Sequence, residues 1–137
     1  MSSYMRFDGA ALPGGVGKDG PNGSRMSEGQ EGHLCFGPYC SLEPGDYVAG
    51  FYMRALPGSV SNLINCDVFA PEKGVIAFRS VSSGTLFDDT LTLVSMDFHL
   101  DDRLDSVEAR AYVYPGVLLE VTELVVFSKR PRSWSGK

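Results

Sequence analysis

From Leu34 onward the chain is written as short runs in which apolar and polar residues alternate, each cut off by proline, glycine, aspartate or asparagine. The runs are Tyr47 to Arg54, Cys66 to Ala70, Val75 to Val81, Leu91 to Leu100, Val107 to Tyr114 and Val117 to Phe127. Alternation with period two suits a strand that lays one face on a core and the other in water, and it does not suit a helix. Starts about 9 to 19 residues apart are the spacing of an antiparallel sandwich or barrel. No segment holds a helical period over three turns, so the fold class is all-β.

Backbone punctuation is densest in Phe36-Gly37-Pro38-Tyr39-Cys40-Ser41-Leu42-Glu43-Pro44-Gly45-Asp46-Tyr47. Proline fixes φ and removes a donor, while glycine reaches φ values other residues avoid. The Gly-Pro and Pro-Gly pairs are therefore read as two turn signals flanking a short apolar segment.

A chain of 137 residues has room for one domain with a core of its own. Residues 1–32 read as a glycine-rich lead-in that is partly loop, 33–128 as the sandwich, and 129–137 as a basic tail carrying the sole tryptophan, Trp134. A net charge of -5 argues against a nucleic-acid partner, because phosphate binding needs clustered Lys and Arg, and the cluster Lys129-Arg130-Pro131-Arg132 sits in the tail. No apolar run approaches the roughly 20 residues of a membrane span, and the N-terminus lacks a signal-peptide pattern. As written, the chain is expected in the cytoplasm, with non-classical export or carriage within a larger protein left open. Three cysteines, Cys35, Cys40 and Cys66, read as buried or free thiols, with Cys35 and Cys40 able to pair if oxidised.

Strand phase then separates core from surface. In the run from Val107, the apolar parity is Val107, Ala109, Ala111 and Val113, which leaves Glu108, Arg110, Tyr112 and Tyr114 on the other face. Two aromatic rings in line with an arginine and a carboxylate are unlike an ordinary solvated strand. Tyr52 and Arg54 repeat the mixture on the strand from Tyr47, where Tyr47, Phe51 and Met53 take the opposite parity. Planar rings beside bidentate hydrogen-bonding groups suit a sugar, which offers a flat patch of C–H groups ringed by hydroxyls. The same residues also suit a cross-strand ion pair and a subunit contact, a reading of equal weight on sequence alone.

Arg25, Gly32, Phe36-Gly37-Pro38-Tyr39, Leu42, Pro44-Gly45, Tyr47 and Val107-Glu108-Ala109-Arg110, followed by a terminal Leu-Val strand, together resemble jelly-roll carbohydrate-binding domains. The likeness is to the small sandwich domains attached to bacterial glycosyltransferases and to polysaccharide-exporting ABC transporters, and it covers roughly residues 24–127. It implies an antiparallel two-sheet β-sandwich of jelly-roll type with a glycan site on one concave sheet, and it marks Arg25, Glu108, Arg110 and Tyr112 for testing.

Catalytic patterns fail on inspection. Gly14-Gly15-Val16-Gly17-Lys18-Asp19 imitates a phosphate loop, but Leu12 stands where the first glycine belongs and Asp19 where Ser or Thr belongs. His33 and His99 lie far apart without a metal-ligand motif, and no nucleophile motif surrounds any cysteine. Asp97, Asp101, Asp102 and Asp105 carry enough oxygen atoms for a structural Ca²⁺ but lack the spacing and glycine of a calcium loop, so they read as a solvated turn, as do Asp88 and Asp89. The sequon Asn22-Gly23-Ser24 carries little weight without a secretory signal.

The expectation is a non-enzymatic, lectin-like module without a cofactor, which binds a glycan or polysaccharide through Arg25, Tyr52, Arg54, Glu108, Arg110, Tyr112 and Tyr114. The alternative is a structural or assembly protein that forms homo-oligomers or docks a protein partner through the same face.

Overall fold

The computed structural model describes residues 4–86 and 89–129. Arg130, Pro131, Arg132 and Trp134 of the basic tail, and Asp88, lie outside them. Among the described residues, ten strands, joined by turns and three short 3-10 segments, build two antiparallel sheets. They are β1 (Tyr4–Asp8), β2 (Lys18–Asp19), β3 (Arg25–Met26), β4 (Gly32–Leu42), β5 (Gly45–Ala55), β6 (Leu63–Ala70), β7 (Gly74–Ser82), β8 (Thr92–Leu100), β9 (Leu104–Val113) and β10 (Leu119–Ser128).

The four-stranded sheet has the order β4-β9-β6-β7, and the six-stranded sheet the order β2-β3-β10-β5-β8, with β1 also paired to β10. Apart from the β6–β7 hairpin, successive strands from β4 to β10 alternate between the sheets. This is an all-β jelly-roll sandwich, as the alternation and the resemblance led us to expect.

The core is the sum of the inward parities. Val107, Ala109, Ala111 and Val113 of β9 face Tyr47, Phe51 and Met53 of β5 within one buried cluster that also holds Leu34, Ile64, Val68, Leu119, Val121 and Leu124. Fully burying side chains of this size contributes about 1.5–3 kcal/mol each, which is what fixes strand register in a two-sheet fold. Tyr47 stacks on Phe98 and donates its hydroxyl to the Glu43 carbonyl, closing the β4–β5 corner.

Three expectations are corrected here. The lead-in is not outside the sandwich: β1 pairs with β10 from Tyr4↔Phe127 to Asp8↔Glu123, β3 pairs with the same strand, and Leu12 is buried. Gly37-Pro38 is not a turn between strands; it lies inside β4, where Gly37 and Tyr39 take positive φ and the register to β9 shifts between Pro38 and Cys40. β4 is an edge strand of its sheet, so a residue without N–H is tolerated there. Cys35 and Cys40 cannot form a disulfide, because their β9 partners Ala111 and Val107 are four residues apart, about 13 Å along a strand against an upper Cα limit of about 7 Å. All three cysteines are free thiols.

The outer edge of β4 is covered by the lead-in. The N–H groups of Gly15 and Val16 donate to the His33 carbonyl and that of Phe36 to the Pro13 carbonyl. Arg25 tightens this strap, its Nη2 donating to the Val16 carbonyl at 2.8 Å and its Nε to the Leu34 carbonyl at 3.2 Å. Covering an edge strand removes a template for pairing with other chains.

Candidate functional site

Pleating sends alternate residues of the four-stranded sheet outward, and register lines them up in ranks across it. In the first rank stand His33, Tyr112 and Asn65, and in the second Phe36, Arg110, Asp67 and Phe78. The third holds Pro38, Glu108 and Phe69.

Arg110 is the centre. Its Nε donates to Asp67 Oδ1 at 2.7 Å and its Nη2 to Oδ2 at 2.8 Å, a two-point pair on adjacent strands, while its Cζ sits 4.4 Å above the Phe69 ring. Both pair members are largely shielded, with side chains 22% and 17% exposed. Such geometry uses the guanidinium fork in a way lysine cannot.

Aromatic edges surround it. The Tyr112 ring meets His33 edge to face at 5.0 Å and Tyr114 at 5.5 Å, and His33 packs edge to face on Phe36. Tyr112 donates its hydroxyl to Glu31 at 2.6 Å, and Asn65 Nδ2 donates to the Tyr114 hydroxyl at 3.2 Å. Between them His33, Asn65, Asp67, Phe78, Arg110, Tyr112 and Tyr114 line a shallow groove of about 250 Å³.

Two polar groups at this face are poised differently from their free forms. Burial, with the nearby Arg110 charge adding, holds the His33 imidazole below its ordinary value, so the ring is neutral at pH 7. Burial pushes the Glu108 carboxyl above the usual range, only partly offset by Arg110, and Asp67 adds to the rise. A half-shielded carboxylate and a neutral imidazole are acceptors and donors that a hydroxyl-bearing ligand can satisfy.

Glu108, Arg110, Tyr112 and Tyr114 thus gather on one sheet face. Tyr52 and Arg54 do not join them: both lie on β5 of the other sheet, a correction to the single shared face expected above. There Arg54 Nε donates to Glu120 Oε1 at 2.7 Å, and Ser24 donates to Oε2 of the same buried carboxylate at 2.6 Å. Arg25 is also elsewhere, its guanidinium spent on the β4 strap. Sequence reading missed Asp67, Asn65, Phe36, Phe69 and Phe78. A signal existed: Asn65, Asp67 and Phe69 share the outward parity of β6.

The acidic residues between and along β8 and β9 are paired on the surface. Asp97 pairs with Lys129, Asp101 with His99, Asp102 with Lys73, and Asp105 with Arg103. No group of three or more His, Cys, Asp or Glu side chains is gathered as a metal site among the described residues. No helix there is long and apolar enough to cross a membrane.

The two-sheet jelly-roll fold is one that solved structures of other proteins share. Its solved counterparts include the C-terminal CBM6 of LamC, a marine laminarinase from Zobellia galactanivorans (11% identity, TM-score 0.58, 93% of this chain and 100% of that one). A family two carbohydrate esterase from Cellvibrio japonicus is similar over 94% of this chain and 35% of its own (14%, 0.56). The CBM22-1-GH10 structure of Clostridium thermocellum xylanase 10B, complexed with xylohexaose, is similar over 89% and 25% (15%, 0.53). At these identities the likeness concerns the fold. No protein-family model and no curated protein matches the sequence.

Proposed function

We propose that the chain is a non-catalytic carbohydrate-binding module whose ligand lies on the outer face of the β4-β9-β6-β7 sheet. The observation that carries this reading is the groove itself, where the rings of Tyr112, Tyr114 and Phe78 border the Arg110–Asp67 pair. The rings would stack on sugar C–H faces, while Arg110, Asn65 and Glu108 would fix hydroxyls. Attachment to a glycosyltransferase or polysaccharide exporter, which the sequence resemblance implies, belongs to the same proposal: the module would hold a larger machine on its polymer. A shallow single site binds weakly, and self-association would raise avidity by presenting several.

A glycan array probed with the purified chain tests this, with Glu108→Gln and Tyr112→Ala run alongside. Selective binding that both substitutions weaken supports the module. A second reading has one observation in its favour: Phe78 is 59% exposed on the edge strand β7, at the margin of the groove. Assembly through this face predicts a blank array together with an oligomer that Phe78→Ser dissociates.

A further inference from the structure

Charge is distributed unevenly over the groove and its borders. Asp67, Glu108 and Glu31 bring carboxylates, and Arg110 brings a guanidinium already paired with Asp67 through Nε and Nη2. His33, the other nitrogen base at the groove, is neutral because burial and Arg110 disfavour its cation. Glu108 stands two residues from Arg110 on the same face of β9, and no ion pair is recorded for it among the described residues.

An arginine on an aromatic sheet face is commonly read as an anion receptor, since its planar fork matches carboxylate and sulfate oxygens. Here two of its five N–H groups, on Nε and Nη2, are taken by Asp67. A ligand carboxylate that accepted from the remaining N–H groups would lie beside Asp67 and Glu108, so two like charges oppose one cation. A neutral hydroxyl meets no such opposition: it can donate to Glu108 and accept from the guanidinium nitrogen left outside the pair.

We infer that Asp67 sets charge selectivity at this groove: by engaging Arg110 it leaves a net-negative face that takes an uncharged saccharide and turns away one bearing carboxylate or sulfate groups. The inference rests on the sugar-binding reading above and deepens it by naming the ligand class.

The experiment is a titration of the folded, purified chain at low salt with uncharged hexasaccharides (cellohexaose, xylohexaose, laminarihexaose) and with hexagalacturonate as the acidic probe. Binding of an uncharged probe at least ~10-fold tighter than the uronate, a gap that narrows in 0.5 M NaCl, is the expected result. Asp67→Asn, which preserves shape while releasing Arg110, should raise uronate affinity by about 10-fold, roughly the factor of one charge-assisted hydrogen bond. Glu108→Gln should raise it by a smaller factor and keeps the test decisive if Asp67→Asn fails to fold. Uronate bound as tightly as the neutral probes, or no gain in either folded variant, overturns the charge rule while leaving the sugar site standing. Failure of every probe to bind a folded chain overturns the sugar reading and the inference with it.

Discussion

Arg110 and Asp67 face each other across neighbouring strands and share two parallel hydrogen bonds of 2.7 and 2.8 Å, so the centre of the candidate site is also a clamp between β9 and β6. A ligand role proposed for Arg110 is therefore tied to its part in stability. Arg110→Ala would strand a mostly shielded carboxylate, at a cost of about 1–3 kcal/mol. Arg110→Lys would keep charge but lose the fork. Urea unfolding should place Arg110→Ala below Arg110→Lys and both below the parent; equal midpoints for all three would show that the pair contributes nothing.

Glutamate 108 predicts how binding responds to acid. Its carboxyl pKa is raised chiefly by burial, so protonation begins at a higher pH than for an ordinary glutamate. Ligand affinity should fall as pH is lowered toward that raised value, and Glu108→Gln should remove this step. The stability sign is opposite: the protonated form suits the folded state, so Glu108 favours folding below its unfolded value, and that contribution is lost as pH rises through the folded one. Calorimetric titrations with and without the substitution check both.

The two histidines should titrate on opposite sides of 6.5. His99 bridges Asp46 at 2.7 Å and Asp101 at 2.9 Å, hydrogen bonds that favour its cation, whereas His33 is held neutral by burial. Acidification below 6.5 thus draws on His33 for lost stability until its lowered folded value is passed. The His99 contribution is complete below 6.5 and disappears as pH rises through its raised value. Imidazole resonances followed by NMR give both values, and coincident curves near 6.5 would contradict these surroundings.

Thiol reactivity probes the core. Cys35 and Cys66 are buried on the inner face of the four-stranded sheet, and burial pushes both thiols up, Cys66 to about 12. Cys40 is only partly covered. A thiol reagent at pH 8 should label Cys40 alone in the native chain, slowly, and all three cysteines after denaturation. Rapid native labelling of Cys35 or Cys66 would mean the sheets are not packed as described.

Tyr52→Ala lies on the wrong sheet to affect the groove and should leave glycan affinity within about twofold, a change worth no more than a few tenths of a kcal/mol. Glu120→Ala should instead lower thermal stability, because it removes the acceptor shared by Arg54 and Ser24. Loss of binding on either substitution, in a folded protein, would return the second sheet to consideration.

Tyr52 and Arg54 share the outward parity of Arg110 but not its sheet. Parity tells whether a side chain points inward or outward, and for both strands it does so correctly: Phe51 and Met53 are buried, as are Ala109 and Ala111. Parity carries no information on which sheet a strand joins, and in this topology β5 and β9 belong to different ones. Asp67 was overlooked for a related reason: it becomes a partner of Arg110 only through cross-strand register, which no local pattern encodes. The lead-in strands β2 and β3 span two residues each amid glycines, too short for a period to register. Gly37-Pro38 carries a genuine turn signal, overridden because β4 absorbs it as a bulge at the sheet edge.

Tyr4 lies directly opposite Phe127 in the β1–β10 ladder, on the sheet that does not carry the groove. Neighbouring strands are about 5 Å apart, so the chain enters and leaves the sandwich through adjacent points on one wall. A unit wired this way can be spliced into a surface loop of a host without prying the loop's ends apart, or carried at either end of one.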